Sequence, residues 1–242
     1  MEKVLLHTPE GVRDVYGKEC AVKLTIENSI NKVFNIYGYH NIQTPTFEFF
    51  DIFSKERGSV ASKNLYKFFD REGNTLVLRP DVTPSIARLV AKYYMDVKVP
   101  VKLCYNANTY INNSELQGKL KENTQLGCEL INDDSVEADA EILALVVDSL
   151  KAAGLKEFLV EIGHADFYKG LLEECGFDTE NEQELRKRIE NKNYFGVEEI
   201  LDNNNITGQL KEAFLKLPEL FGSIDVIKSA KELTDCLLYT SP

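Results

Sequence analysis

KLCYNANTYINNSELQGKLKENTQLGCELI, Lys102 to Ile131, reads as two antiparallel strands around a polar loop. The segments Val99 to Ile111 and Asn123 to Ile131 carry the β-branched and aromatic residues that pleated surfaces favour. Asn112 to Glu122 is polar and contains a glycine, and it is long enough to fold over a ligand. Side chains on a strand alternate between faces, so Gln125 and Glu129 point to the same side. Upstream, LRPDVTPSIAR (Leu78 to Arg88) changes from strand to helix texture. Asp81 or Thr83 can cap that helix, Pro84 falls in its first turn, and Ile86, Leu89 and Val90 mark its buried side. Two acids, an amide and a hydroxyl near one sheet face suit a cationic amine and a ring N–H. The same residues would serve as solvent-facing positions of a half-exposed sheet, and spacing alone leaves both readings open.

Working outward, Leu65 to Asp70 and Thr75 to Leu78 flank the turn-prone quartet Arg71 to Asn74 and predict a β-hairpin. Tyr16 to Tyr37 predicts an amphipathic helix, with Val22, Ile26, Ile30, Val33, Phe34 and Tyr37 on one face and Gly38 ending it. In HNIQTPTFEFFDIF (His40 to Phe53), Pro45 has no N–H for a ladder, so this strand must lie at an edge or break there. An edge beside a long helix would also make a dimer seam. Downstream, Val136 to Ala153 predicts a second helix closed by Gly154, and Phe158 to Ile162 predicts a buried strand. Beyond Gly163 the expected helices are His164 to Cys175, Glu182 to Asn191, Tyr194 to Asp202, Thr207 to Leu217 and Ile224 to Asp235. The expectation is an α+β protein: a core over residues 1–165, a helical subdomain over 166–235, and an irregular or artefactual end over 236–242.

Composition narrows the function. A net charge of -11 argues against broad, sequence-independent nucleic-acid binding, which needs clustered lysine and arginine. The five cysteines (Cys20, Cys104, Cys128, Cys175, Cys236) are widely spaced, form no C-x-x-C pair and read as small buried thiols of a reducing cytosol. No metal site is expected. His7 reads as solvated, His40 starts a strand and His164 opens a helix, none with metal-ligand company. Val4-Leu5-Leu6 is too short for the apolar core of a signal peptide, and no apolar run approaches the ~20 residues of a membrane span. No Ser-His-Asp set, P-loop or G-x-G-x-x-G occurs. A cytoplasmic protein is expected.

These motifs, with TPEGVRDVYGKE (Thr8 to Glu19) and GYHNIQTPTFE (Gly38 to Glu48), resemble the class II aminoacyl-tRNA synthetases and most closely histidyl-tRNA synthetase. The resemblance implies a mixed, mainly antiparallel sheet flanked by helices, with the Gly38–Glu48 segment at a dimer interface. It also implies that Asp81 and Thr83 hold the α-amino group of histidine and that Gln125 and Glu129 complete the pocket. The phosphate half departs from the family. The strand Asn106 to Ile111 should end in a Phe-Arg pair that grips the ATP α-phosphate, and here it ends in Tyr110-Ile111. Lys119 and Lys121 stand where arginines are usual, and Asn123 stands where a phenylalanine would stack on adenine. Losing one such charged donor can cost ~10²–10³ in rate, and lysine lacks the planar bidentate fork of arginine.

A kept amino-acid pocket with a lost phosphate site resembles the catalytically dead paralogues, the regulatory subunits of ATP phosphoribosyltransferase. That implies no catalysis and no cofactor of its own. The implied partner is a short-form catalytic subunit that joins ATP to phosphoribosyl pyrophosphate, the first step of L-histidine biosynthesis. Self-association as a dimer within a hetero-octamer, L-histidine as ligand and no tRNA binding are implied with it. The alternatives are a histidine–tRNA ligase fragment and a freestanding histidine-binding protein. The family's later motifs, including its glycine-rich third motif, would lie beyond Pro242.

Overall fold

The computed structural model describes residues 6–54, 60–113, 118–163 and 165–233, and the chain divides into two compact units, Met1–Val160 and Glu161–Pro242. The first unit begins with helix α1 (Gly17–Ile36) and the two-residue strand β1 (His40–Asn41). Strand β2 (Phe47–Phe49), the short helix α2 (Asp51–Ser54), and strands β3 (Lys67–Phe69) and β4 (Thr75–Leu78) follow. Helix α3 (Thr83–Tyr93), strands β5 (Val101–Tyr110) and β6 (Glu122–Ile131), and helix α4 (Val136–Ala152) complete it.

Two three-stranded sheets result, in the orders β1-β5-β6 and β2-β4-β3. The expected long strand over His40 to Phe53 is two short strands, and the break falls between them around Pro45. Each half sits at the edge of its own sheet: β1 runs parallel to β5, and β2 antiparallel to β4. The hairpin β3–β4 forms around Arg71–Asn74, where Asp70 accepts from both the backbone and the side-chain amide of Asn74. Helix α1 stops as its composition dictates. Gly38 takes φ 83° and Tyr39 N–H returns to Phe34 C=O at 3.0 Å, a left-handed exit that a Cβ would strain.

The β5–β6 ribbon is covered on both faces. Val82 and Ile86 pack with Val101, Leu103 and Tyr105 on one side. Phe34 of α1, Tyr39, Cys104 and Leu145 of α4 form the core on the other. Burying a side chain such as Ile86 or Leu145 is worth about 1.5–3 kcal/mol, so this sandwich holds the ribbon rigid. Arg79 joins the two sheets. Its guanidinium, 7% exposed, donates from Nε to Asn108 C=O at 2.7 Å and from Nη1 to Thr44 C=O at 2.9 Å and Pro45 C=O at 3.2 Å.

The second unit is helical: α5 (Ala165–Cys175), α6 (Thr179–Glu190), α7 (Tyr194–Asn203), α8 (Gly208–Lys216) and α9 (Val226–Leu233). Its own core is built from Phe167, Leu171, Leu185, Val197, Leu201 and Phe214. Asp178 and Asn193 cap α6 and α7 through bonds to Asn181 N–H and Gly196 N–H.

Two expectations need correction. Phe158 to Ile162 is not a strand: no described strand pairs with it, and Leu159 and Ile162 are 77% and 73% exposed. Its apolar composition fits a strand, but a strand exists only where a neighbour completes its ladder. The cap of α3 is displaced by one residue: Val82 holds the N-cap position without a side-chain bond, and Asp81 just before it accepts from Val82 N–H at 2.7 Å and from Thr83 N–H at 3.5 Å. The expectations for His164, Cys236 and residues 236–242 lie outside the described residues, as does the middle of the β5–β6 loop, 114–117.

Candidate functional site

Register decides which side chains meet. In β5–β6, Leu103 faces Glu129, Tyr105 faces Gly127 and Ala107 faces Gln125. These positions face the N-terminal end of α3, where Thr83 opens the helix and Asp81 lies just before it. The four residues singled out in the sequence therefore converge. Thr83 Oγ1 donates to Glu129 Oε1 at 2.6 Å, and Gln125 Nε2 donates to Asp81 Oδ1 at 3.3 Å. Asp81 Oδ1 also accepts from Val82 N–H at 2.7 Å, which fixes the carboxylate at the start of α3. Thr83 spends its hydroxyl on Glu129 across 46 residues of sequence rather than on its own helix.

Burial raises the Glu129 carboxyl above its ordinary value; the Thr83 hydrogen bond opposes that shift, and the nearby Asp81 charge adds to it. Among the described residues no lysine or arginine forms an ion pair with Glu129. A half-buried carboxylate held by a neutral hydroxyl, with a second carboxylate beside it, gains most when a cation arrives.

Tyr105 is the participant that sequence reading missed. Its side chain is 5% exposed and its ring lies across Gly127, where an added Cβ would stand 2.4 Å from the phenol oxygen and 2.5 Å from Cζ. Burial followed by the Glu129 charge pushes the phenol up to about 12, against the opposing effect of the nearby Thr83 hydroxyl. The aromatic floor and the glycine are one device, because any side chain at position 127 would occupy the ring's place. The signal was present in Gln125-Leu-Gly-Cys-Glu129: a glycine inside a strand marks a close approach, and the register names Tyr105 as its neighbour.

The far end of the ribbon differs. Ile111 is half-buried and its N–H donates to Lys121 C=O at 2.9 Å. The aliphatic chain of Lys121 lies against Gly11, where a Cβ would come within 2.6 Å of Cγ. Lys121 N–H donates to Gly11 C=O at 2.6 Å. Asn108 bridges Glu122 and Thr124, donating to the former at 2.8 Å and accepting from the latter at 3.0 Å. Asn123 is exposed and donates to Leu120 C=O at 3.3 Å. Arg79 and Arg88, the arginines of the upstream motif, are committed to structure: Arg88 donates twice to Glu48 of β2, at 3.0 and 2.7 Å. Among the described residues no cluster of His, Cys, Asp and Glu could hold a metal ion.

A sequence model of the family described as histidyl-tRNA synthetase matches residues 11–237. The chain belongs to the histidyl-tRNA synthetase family. Relatives named ATP phosphoribosyltransferase regulatory subunit are similar to this family member over nearly all its length. The protein from Ruminiclostridium cellulolyticum is 46% identical over 96% of this chain and 55% of its own length. The one from Acetivibrio thermocellus is 43% identical over 92% and 53%. The chain thus spans about half the length of the curated relatives it matches.

The crystal structure of an ATP phosphoribosyltransferase regulatory subunit/histidyl-tRNA synthetase from Bacillus halodurans C superposes with a TM-score of 0.85 at 36% identity, over 96% of this chain and 61% of that one. A histidine–tRNA ligase subunit from Alicyclobacillus acidocaldarius shares the fold, with a TM-score of 0.72 at 22% identity over 96% of this chain and 73% of that one. The α+β, class II synthetase-like architecture expected from the motifs is therefore the architecture of this family member. No described helix is long and apolar enough to cross a membrane.

Proposed function

We propose that the chain works as a non-catalytic regulatory subunit of ATP phosphoribosyltransferase, required by a short-form catalytic subunit and responsive to L-histidine. In this reading the pocket of Asp81, Thr83, Gln125, Glu129 and Tyr105 takes histidine, with the α-ammonium group toward Asp81 and Thr83 and the side chain toward Gln125 and Glu129. The observation that carries the reading is the contrast along one ribbon: a half-buried carboxylate at Glu129 awaiting a cation, and an isoleucine at position 111 where phosphate chemistry would need a charge. The names of the relatives support it, at 46% and 43% identity. Adenylation chemistry is absent in this reading, and tRNA is not a ligand; the net charge of -11 agrees with that. The subunit acts by coupling two binding free energies, typically ~1–3 kcal/mol, rather than by making bonds. Assembly proceeds through a dimer into a hetero-octamer with the catalytic subunits, and the helical unit serves as an insertion subdomain.

The test is phosphoribosyl-ATP formation by a short-form catalytic subunit, measured alone, with this chain, and with this chain joined to the remaining length of the Ruminiclostridium cellulolyticum relative. Stimulation that histidine reverses is expected in the joined form. Histidine binding without stimulation would favour a freestanding binding protein. Histidine-dependent exchange of pyrophosphate into ATP would instead restore the ligase reading.

A further inference from the structure

The face of the ribbon turned away from the candidate pocket carries two cysteines opposite each other. Cys104 and Cys128 are register partners in β5–β6 and share one core cluster with Phe34, Tyr39 and Leu145. Neither is disulfide-bonded. Two independent backbone bonds fix the type of this pair. The register runs unbroken from Val101 opposite Ile131 to Tyr110 opposite Glu122, and Ile111 N–H donates to Lys121 C=O just beyond it. Position 111 is therefore a hydrogen-bonded site, and such sites alternate along an antiparallel ladder. Cys104 lies an odd number of residues away (111 − 104 = 7), which makes Cys104–Cys128 a non-hydrogen-bonded pair. The second bond agrees: Cys104 C=O turns away from β6 and accepts from Ile42 N–H at 2.9 Å. Residues so paired stand with Cα atoms about 4.5 Å apart and their side chains at closest approach. Disulfides span Cα separations of about 4.4–6.8 Å, so this pair sits at the short end of the permitted range.

We propose that Cys104 and Cys128 form a reversible disulfide, a redox-modification site behind the candidate pocket. Cys104 is fully buried and Cys128 is half-buried, so Cys128 is the thiol that meets a reagent and Cys104 the one that resolves it. With a small-molecule disulfide as oxidant, the Cys128 thiolate attacks one of its sulfurs, the S–S bond breaks and one thiolate leaves to take up a proton. The Cys104 thiolate then attacks the Cys128 sulfur of the mixed disulfide and expels the second thiol. The protein loses two electrons and two protons, and the oxidant is reduced to two thiols. Burial keeps both thiols protonated, with Cys128 pushed up to about 11, so the dithiol exchanges slowly and rests reduced. With Cys128 only half-buried, the bridge stays open to the reverse exchange by a small thiol.

The test equilibrates the folded chain in mixtures of reduced and oxidised glutathione, with Cys20, Cys175 and Cys236 replaced by serine. The remaining thiols are then alkylated and located by mass spectrometry. The expected result is joint loss of both alkylation sites, loss of the mass of two hydrogens, and a single two-electron transition. In Cys104→Ser, glutathione should stay attached at Cys128. The proposal falls if both thiols are alkylated at every ratio after equilibrium, or if Cys128 carries glutathione while Cys104 stays free. Should Cys104→Ser fail to fold, the titration with both cysteines present decides alone. If the pocket binds histidine as proposed above, oxidation also shifts that affinity by about threefold or more, because Tyr105, Gly127 and Glu129 are the next residues along the same strands. Equal affinities in both states would remove this coupling while leaving the disulfide itself to the mass measurement.

Discussion

The two faces of the β5–β6 ribbon treat carboxylates in opposite ways. On the α1/α4 face, Glu141 holds Lys102 Nζ at 2.7 Å and the Tyr39 hydroxyl at 3.1 Å, and Glu27 is bonded to Lys23 and to Asn106. On the α3 face, Glu129 has the Thr83 hydroxyl, with Asp81 close enough to raise its proton affinity. The first arrangement is complete in itself. The second leaves a raised carboxyl with a neutral hydroxyl and a like charge beside it, and in the proposed reading a cationic ligand would complete it.

The most disruptive way to break the comparison is Gly127→Ala. The new methyl would overlap the Tyr105 ring, so a destabilisation of about 1–3 kcal/mol is expected, with histidine binding abolished. Thermal unfolding and calorimetric titration read the two effects. Glu129→Gln keeps shape and removes charge. It should weaken histidine by about 30-fold, the equivalent of ~2 kcal/mol for a charged hydrogen bond, while leaving the fold at neutral pH slightly more stable than the parent. Unchanged affinity would show that Glu129 is no ligand.

The mirror experiment is Glu141→Gln on the opposite face. It should cost about 1 kcal/mol of stability and leave histidine affinity alone. A loss of affinity there would mean the faces are not independent. Comparable in size, Thr83→Val should weaken binding by about fivefold, roughly 1 kcal/mol for one neutral hydrogen bond.

Titration gives the two faces opposite signs. Glu129 is raised in the folded chain, so stability falls as pH rises from the ordinary carboxylate value through the raised one, and Glu129→Gln removes that fall. For Glu27, burial works upward, but the hydrogen bonds from Lys23 and Asn106 and the Lys23 charge outweigh it and hold the carboxyl low. Its contribution is present above the ordinary value and lost as pH drops through the lowered one. Unfolding curves for Glu27→Gln and Glu129→Gln between acid and neutral pH should therefore deviate from the parent in opposite directions.

What could be read from the sequence was what local chemistry controls. Alternation set the strands of the ribbon to within two residues, Gly38 ended α1, and Pro45 split one apparent strand in two. A strand period put Gln125 and Glu129 on one face and a strand-to-helix change marked Asp81 and Thr83, but it was the resemblance to histidyl-tRNA synthetase that grouped the four into one pocket. The roles of Arg79 and Arg88 could not be read from the sequence, since their acceptors at Thr44, Pro45, Asn108 and Glu48 lie 29 to 40 residues away along the chain. Tyr105 has no local signal of its own; only the register places it over a glycine. Phe158 to Ile162 had a strand's composition, but composition cannot supply the neighbour a strand needs.

The shortest strand in the first unit has a consequence for how the chain reaches its fold. β1 contributes only two residues, yet they join β5 in parallel, and Asn41 meets Cys104 63 positions later in the sequence. Closing so large a loop costs chain entropy before any bond repays it, whereas β5 and β6 meet across only residues 111–121 and the helices of the second unit form from near neighbours. The expected order is the ribbon first and β1 last, and low φ-values at His40 and Asn41 beside higher ones in β5 would bear it out. Until β1 docks, the Cys104 carbonyl, which finally accepts from Ile42, is open to water, an additional unpaired edge beside that of β6.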